Sequence, residues 1–524
     1  MDRNNRGKVG KDNVELDSNK NGDLCWWLLH KGLTSLFLCI SMFGLLVRWT
    51  VSLHSYSGAG NPPKFGDYEA QRHWMEITVN LPAQDWYINS TKNDLSYWGL
   101  DYPPLTAYQS YIHGLFLRFF DPESVTLFTS RGYESYIGKL LMRFTVLSSD
   151  LLIFFPSVLY FIHAYYDVHS RGRKADVAWH ILLILINPCL VLIDHGHFQY
   201  NCISLGLALA AVAAILSQRD LLACVLFCLS LNHKQMSTYF APAFFSHLLG
   251  KCLRRKHPLL EISKLGMVVL GTFAMVWWPY LHSRNAALQV LSRLAPFERG
   301  IYEDYVANFW CTSSVLIKWK RLFPTQSLRL FSMVATILAC LPSMVQQILA
   351  PSSKGFLYGL LNSSLSFYLF SFQVHEKSIL LPLLPATLLA MEWPRPFKLL
   401  THYALFSMFP LVCRDNLILP YIALYALCIF LYHPPGGRWD EATRQGSTPL
   451  SLVSVLLTLA YLGSLVLHIV YLTVRPPERY PFLFEALIML LSFSHFVLFA
   501  FHTNIKQWML SGHLIGSDKG KKQH

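Results

Sequence analysis

Charged residues are scarce in this sequence. Aspartate, glutamate, lysine and arginine make up 14% of its 524 residues, whereas a soluble protein carries roughly 25%. Hydrophobic residues make up 53%, and the mean hydropathy is +0.33. This composition excludes an ordinary soluble domain and predicts an all-α polytopic membrane protein.

Several short motifs are also missing. The eleven cysteines form no CxxC pair, which argues against a metal or disulfide framework. There is no P-loop, no GxGxxG beside a strand and no DxD motif, so a metal-dependent nucleotide-sugar enzyme is not favoured. No cleavable signal peptide is evident, and the first apolar run reads as an uncleaved signal anchor.

What the sequence does contain is a long series of apolar runs. Residues 1–31 read as a disordered cytosolic tail, 32–501 as the membrane domain and 502–524 as a second cytosolic tail. Within the membrane domain we predict about fourteen transmembrane segments and two long luminal loops, 53–139 and 282–328. The segments lie near 32–52, 140–165, 177–193, 202–217, 220–233, 237–250, 263–281, 329–349, 355–372, 377–391, 399–413, 417–432, 449–473 and 481–501.

Charge sets the predicted orientation. The net charge of +13 would suggest nucleic acid in a soluble protein, but here it follows from basic cytosolic flanks. With a cytosolic N-terminus and alternating segments, the basic turns fall in the cytosol and the polar motifs fall in the lumen. The sequon at Asn89 then lies in the lumen as a glycosylation site, whereas the sequon at Asn362 lies inside an apolar segment and is expected to be inert.

A dense set of ionisable residues fills the first luminal loop. Asp67 reads as a general base, with Glu69, Arg72 and His73 holding substrate. The alternative is a loop pinned by its own ion pair. Farther along, the prolines of the motif DYPP fix where Asp101 and Tyr102 point, although such a motif equally often starts a helix.

Two histidine motifs interrupt later apolar runs. His195 and His197 have the spacing of metal ligands, but they lack a partner set, and a polar helix end or a sugar contact is favoured for His197 and Gln199. His375 and Lys377 are placed to meet a lipid phosphate, the alternative being an ordinary polar turn.

A weaker phosphate-binding candidate, Arg299, has an ordinary surface loop as its alternative.

Together these motifs resemble a known family. The runs GDYEAQRHW (66–74), WGLDYPPLTAY (98–108), SRGYES (130–135), GHFQYN (196–201) and FQVHEKS (372–378) are similar to those of endoplasmic-reticulum glucosyltransferases that extend the lipid-linked oligosaccharide. The resemblance covers about 32–510 and departs at His195, where an aromatic is expected. It implies a GT-C fold with a luminal active site, dolichyl-phosphate glucose as donor and a dolichyl-pyrophosphate-linked high-mannose glycan as acceptor.

The chemistry that this resemblance implies agrees with the residues. The transfer inverts the anomeric centre, so one base is needed, and Asp67 matches the family's general-base position. A phosphate leaves as a stable anion, so cationic groups suffice there, without metal or other cofactor. Lys377, His375 and Arg299 are the candidates, in that order.

Two further expectations follow from the resemblance. The SRGYES run and the pair Trp98–Gly99 are similar to the first-step branch, which glucosylates a bare terminal mannose. The alternatives are the second-step branch, which adds to that glucose, and a polytopic lipid or sugar transporter. The last four residues, KKQH at 521–524, resemble a dilysine retrieval signal and predict residence in the endoplasmic reticulum.

Overall fold

Helices form nearly all of the backbone in the computed structural model, which describes residues 24–168, 173–294, 305–432 and 452–521. Within these ranges there is no strand beyond an isolated bridge between Ser90 and Asn93. Apolar chains in lipid favour helices because a helix satisfies its own backbone hydrogen bonds. The predicted all-helical membrane architecture is therefore confirmed at this level.

The helices of the first half are α1 (Leu24–Lys31), α2 (Thr34–Ser52), α3 (Gly66–Asn80), α4 (Pro104–Phe120), α5 (Tyr136–Ser149), α6 (Phe155–Val168), α7 (Lys174–Leu185), α8 (Pro188–Val191), α9 (Asn201–Leu216), α10 (Asp220–His233), α11 (Ala241–Leu253) and α12 (Pro258–Trp277). Two π-helical turns, Asp150–Phe154 and Leu192–Phe198, continue α5 and α8, and 3-10 turns lie at Ala83–Asp85, Pro122–Val125, Gln235–Phe240 and Trp278–Tyr280.

The helices of the second half are α13 (Arg284–Leu294), α14 (Phe309–Ser313), α15 (Trp319–Leu322), α16 (Thr325–Leu349), α17 (Ser353–Phe370), α18 (Leu380–Leu388), α19 (Pro394–Ser407), α20 (Phe409–Arg414), α21 (Ile418–Leu431), α22 (Leu452–Thr473) and α23 (Leu483–Lys521). A 3-10 turn at Glu376–Ile379 leads into α18.

Seven helical stretches of the described residues are long and apolar enough to cross a membrane. They are Thr34–Ser52, Tyr136–Asp167, Lys174–Phe198, Pro258–Tyr280, Thr325–Leu349, Val455–Thr473 and Leu483–Leu510. The other predicted segments coincide with shorter helices such as α9, α10 and α21, which fall below the roughly 20 residues of a full crossing. The structure therefore does not confirm the predicted count of fourteen.

Both predicted tails need correction. The predicted disordered tail 1–31 ends in a helix, α1, whose Trp27 is buried with its ring centroid 5.1 Å from that of His163. At the other end, α23 runs on to Lys521, so 502–521 continues a helix rather than starting a separate tail. The predicted linker near 433–448 lies outside the described residues.

The predicted luminal loop 53–139 is itself largely helical. It holds α3 and α4, and α4 begins at Pro104, where the fixed φ of proline suits the first helical position. The apolar residues Ile112, Leu115 and Phe119 are exposed along one side of α4, as expected of a helix at a membrane interface.

Candidate active site

A cavity of about 700 Å³ gathers polar residues from widely separated parts of the chain. Its lining comes from one face of α3, the segment before α4, the turn after the π-helix 192–198, the turn after α10, the end of α13, the segment before α18 and the end of α20. The predicted site residues Asp67, Asp101, Tyr102, His197, Gln199, His375 and Lys377 all line it.

The start of α3 places Asp67 at the cavity wall. Phe65 and Gly66 both have positive φ, 58° and 71°, which turns the chain sharply into the helix. A Cβ on Gly66 would lie 2.7 Å from the carbonyl oxygen of Ser57, so only glycine fits there. Asp67 then stands in the first turn, where the helix dipole favours a negative charge.

A strained turn brings two more side chains to the same carboxylate. Phe198 has a φ of 86°, a conformation rarely adopted by a bulky residue. On either side of it, His197 Nε2 lies 3.1 Å from Oδ2 of Asp67, and the Gln199 amide donates a short hydrogen bond to that oxygen.

Packing holds this turn in place. The Phe198 ring is fully buried, and the guanidinium of Arg143 lies 5.3 Å from its centroid. Arg143 also donates hydrogen bonds to the carbonyl oxygens of Ser55, at 3.0 Å, and Gly196, at 2.9 Å. Strain of this kind persists where the surroundings over-determine the backbone, and such places are often functional.

Asp67 also accepts a short, charged hydrogen bond from Lys377. Burial by itself would raise the pKa of the Asp67 carboxyl, but the Lys377 ammonium outweighs it and holds that pKa well below its usual range. Because 25% of the Asp67 side chain remains exposed to the cavity, the carboxylate can meet an incoming hydroxyl group. The arrangement suits an ionised general base beside a cation.

Outer partners hold His197 and Gln199, the two side chains beside Asp67. Asp415 Oδ2 lies 2.5 Å from Nδ1 of His197. Lys234 donates to the side-chain oxygens of Gln199, at 3.0 Å, and Asn201, at 2.6 Å. Burial lowers the pKa of Lys234 to about 8. Lys234 and Asp415 thus support Asp67 from opposite sides.

Three predicted substrate-binding residues do not line the cavity. Glu69, Arg72 and His73 are 1–2% exposed and join Glu76 in a buried network. Arg72 forms a bidentate pair with Glu69, at 2.6 and 2.7 Å, and a bond of 2.8 Å to Glu76. The structure thus places these three side chains in a buried network, away from the cavity at which substrate contact was predicted for them.

The same network secures the loop after α4. Arg72 donates to the Ser124 carbonyl at 2.9 Å and to the Ser130 hydroxyl at 2.6 Å. Glu76 accepts from the Phe128 amide at 2.8 Å. Burial raises the pKa of Glu76, but hydrogen bonds and charges from His73 and Arg72 lower it to about 2, so the carboxylate stays ionised.

The two histidines considered as metal ligands turn to different partners. His195 Nε2 lies 2.6 Å from Oδ2 of Asp150, and that same oxygen lies 3.1 Å from Nε of Arg48. His197 turns instead toward Asp67 and Asp415. Across the part of the chain that the structure describes, no three or more His, Cys, Asp or Glu side chains form a group suited to a metal ion. Metal independence stays a prediction.

The remaining predicted residues lie elsewhere. Arg299 falls outside the described residues. Asn89 is exposed, and its side-chain oxygen accepts from the Leu95 amide at 3.2 Å, leaving the side-chain nitrogen toward solvent for a glycan. Asn362 is 1% exposed and bonded to Gln507 at 2.7 Å, which closes it to modification.

Sequence reasoning assigned no site role to Lys234, Arg414 or Asp415, which also line the cavity. A signal for them was present. Lys234 follows the apolar run 220–233, and Arg414–Asp415 separates the runs 399–413 and 417–432. Ionisable residues between apolar runs are functional candidates by default, and both turns fall on the predicted luminal side.

Comparison with known proteins gives the family, independently of the site. The model of the ALG6, ALG8 glycosyltransferase family matches residues 44–502. A relative from Arabidopsis thaliana, named "Probable dolichyl pyrophosphate Man9GlcNAc2 alpha-1,3-glucosyltransferase", is 66% identical over 96% of this chain and 95% of its own length.

More distant relatives also match along most of their length. One from Pongo abelii, named "Dolichyl pyrophosphate Man9GlcNAc2 alpha-1,3-glucosyltransferase", is 42% identical over 90% of this chain and 96% of its own. A Schizosaccharomyces pombe protein with the same name, marked probable, is 39% identical over 88% and 89%. The chain belongs to the ALG6, ALG8 glycosyltransferase family.

Proposed function

We propose that this protein adds the first glucose, in α-1,3 linkage, to the dolichyl-pyrophosphate-linked Man9GlcNAc2 glycan. The names of its relatives state this acceptor and this linkage. The donor is dolichyl-phosphate glucose, as the resemblance of the motifs at 66–74 and 372–378 implies. The observation that carries the proposal is one ionised carboxylate, Asp67, at a cavity wall beside the cation Lys377.

The reaction needs little more than these two charges. Asp67 removes the proton from the attacking hydroxyl of the acceptor mannose while that oxygen bonds to C1 of glucose. The bond from C1 to the phosphate oxygen breaks, and its electron pair leaves with the phosphate. Lys377 stabilises that developing charge, and His375 and Arg414, at the same side of the cavity, are further candidates.

The cavity has a second polar side, suited to the acceptor. Lys234 lies there, with its ammonium 5.1 Å from the centroid of the Tyr102 ring, and Gln235 donates to the backbone carbonyl of Asp101 at 3.2 Å. Gln199 contacts both Lys234 and Asp67, and Asp67 also contacts Lys377. Asp67 therefore stands between the acceptor side of the cavity, at Lys234, and the phosphate side, at Lys377. An aromatic ring beside polar groups suits a sugar, so we assign the terminal mannose to Tyr102 and Asp101.

The topology forms part of the same proposal. We infer a GT-C architecture in the endoplasmic reticulum membrane, with 53–139 and 282–328 in the lumen and both termini in the cytosol. Every segment that lines the cavity lies on one side when the fourteen predicted segments alternate, which supports this orientation. It requires shorter apolar helices such as α9, α10 and α21 to complete crossings. The retrieval signal at 521–524 lies largely outside the described residues.

A reconstituted assay tests the activity. Purified protein is given dolichyl-phosphate glucose with either the unglucosylated or the monoglucosylated lipid-linked glycan. We expect transfer to the unglucosylated acceptor, unchanged by EDTA, and no transfer by Asp67→Asn. Preference for the monoglucosylated acceptor would instead indicate the second step. Movement of lipid or sugar across the bilayer without any transfer would indicate a transporter.

A further inference from the structure

Asp67 lies at one end of a three-residue chain that leads away from the reaction. His197 stands between two carboxylates, with Nε2 3.1 Å from Asp67 and Nδ1 2.5 Å from Asp415. The Asp415 side chain is 4% exposed and that of His197 is 5% exposed, against 25% for Asp67. All three residues line the cavity, and Asp67 is the most exposed of them.

Hydrogen-bonding capacity ties the protons of His197 to the position of Lys377. An ionised carboxylate only accepts, so the contact with Asp415 requires a proton on Nδ1. While the Lys377 ammonium donates to Nε2 at 3.2 Å, Nε2 carries no proton and the imidazole is neutral. Once Nε2 carries a proton, it donates instead to Oδ2 of Asp67 at 3.1 Å.

Lys377 fills the position that a transferred proton would take. It donates to both Oδ2 of Asp67 and Nε2 of His197, two acceptors that lie 3.1 Å apart. Those two atoms can bond to each other directly only when a proton lies between them. If Lys377 turns to the donor phosphate, as the proposed function requires, a proton from the acceptor hydroxyl can occupy the gap.

We propose that Asp67, His197 and Asp415 form a proton relay in which Asp415 acts as a positioning residue. This inference rests on the proposed function. The acceptor oxygen bonds to C1 as the C1–phosphate bond breaks, and the hydroxyl proton passes to Oδ2 of Asp67 and on to Nε2 of His197. Asp415 stabilises the imidazolium that forms. The phosphate gains one negative charge, the imidazole gains one positive charge, and water takes the proton as the products leave.

The relay gives a weak base a stronger final acceptor. Because Gln199 still donates to Asp67 after Lys377 has turned away, the carboxylate alone retains a proton poorly. An imidazole oriented by a buried carboxylate retains it better.

The first test separates rate from binding. Asp415→Asn is expected to lower kcat in single-turnover assays by on the order of 10²-fold, the lower end of what acid–base groups contribute. The KM values for both lipids should stay within twofold, and Asp415→Glu should recover part of the rate. A wild-type kcat in Asp415→Asn, or a loss confined to KM, would overturn the relay.

Chemical rescue keeps the test informative if Asp415→Asn fails to fold. His197→Ala opens space beside a cavity of about 700 Å³, so imidazole added to the assay should restore transfer. Substituted imidazoles should rescue better as their basicity rises, since the group accepts a proton. Where His197→Ala/Asp415→Asn folds, it should not be rescued; where it does not fold, the dependence of rescue on basicity tests the relay by itself.

The possible failures are distinguishable. Three outcomes would refute the relay and, with an active wild-type enzyme, leave the proposed function intact. They are rescue that does not depend on the basicity of the imidazole, rescue that does not need Asp415, and no rescue at all. A wild-type protein that transfers no glucose would refute the proposed function itself.

Discussion

The helix α3 carries two charged clusters that differ in almost every property except sequence position. One centres on Asp67, which faces the cavity and is 25% exposed. The other comprises Glu69, Arg72, His73 and Glu76, which face away from it and are 0–2% exposed. The first cluster keeps one carboxylate accessible, while the second uses its carboxylates to hold Arg72 and the neighbouring loop. Abundant charge therefore marks two roles on one helix, the proposed catalysis on one face and structure on the other.

Helical periodicity separates the two clusters. The cavity is lined by Asp67, Ala70, Gln71 and Trp74, at spacings i, i+3, i+4 and i+7. The buried network has the same spacings starting two residues later, at 69, 72, 73 and 76. Two residues turn an α-helix by about 200°, so the clusters lie on opposite faces.

The largest expected effect comes from removing the base on the cavity face. Asp67→Asn should lower kcat by about 10²–10⁴-fold, because the amide keeps the shape but cannot take a proton. The melting temperature should stay near that of the wild type. Near-normal turnover would move the base elsewhere, with Asp101 as the next candidate.

A substitution on the opposite face of α3 should lower the stability of the fold rather than kcat. Arg72→Met leaves Glu69 and Glu76 buried without their partner, which costs about 3–5 kcal/mol. We expect a lower melting temperature and a lower yield of folded protein, with kcat per folded molecule reduced far less than in Asp67→Asn. Arg118→Met, at an exposed arginine of α4, is the matched control and should change little. Equal stability of the two variants would remove the distinction between the faces.

A third change tests the charge that holds Asp67 ionised. Lys377 lowers the pKa of Asp67, and activity needs the ionised carboxylate. Lys377→Met should therefore raise that pKa in the free enzyme and move the acid limb of the kcat/KM profile to higher pH. Lys377→Arg keeps the charge and should leave the limb near its wild-type position. An unmoved limb in Lys377→Met would mean that another group controls the ionisation.

The smallest effect is expected at Asn89, which belongs to neither cluster. Asn89→Gln should abolish a gel shift produced by endoglycosidase and leave kcat unchanged, because this side chain is exposed. In sealed microsomes, a protease added from outside should not reach 53–139. Cleavage there would contradict the luminal orientation.

The positions of the apolar segments were predictable, because hydropathy alone locates most of the long helices. The number of membrane crossings was not predictable, because helix length and burial decide it and α9, α10 and α21 are short. Asp67 and Lys377 were found as isolated polar motifs, but their direct contact joins residues 310 apart in the chain. Asp415 lies in none of the motifs singled out above, and its sequence signal is its place between two apolar runs.

The placement of Glu69, Arg72 and His73 differs from the prediction for a specific reason. The prediction has this segment as a loop, in which neighbouring charges can all reach one substrate. Recognising the helix Gly66–Asn80 from the sequence would have assigned these residues to one face and Asp67 to the other. The turn at Phe198 offers no such signal, because its positive φ arises from packing around Arg143 and not from a turn-forming residue.

The π-helical turn Leu192–Phe198 makes this part of the chain tolerant of a change in length. A π turn holds one residue more than an α turn, and it is closed here by the bond of 3.3 Å from the Gln199 amide to the Asp194 carbonyl. Deleting one residue from an ordinary α-helix rotates everything after the deletion by about 100°. Deleting Ile193 would instead let the π turn relax to an α turn, so that Gln199 and the helix α9 after it would keep their orientation. A frame-preserving loss of this one apolar codon, disruptive in most membrane helices, would here leave the reaction centre in place.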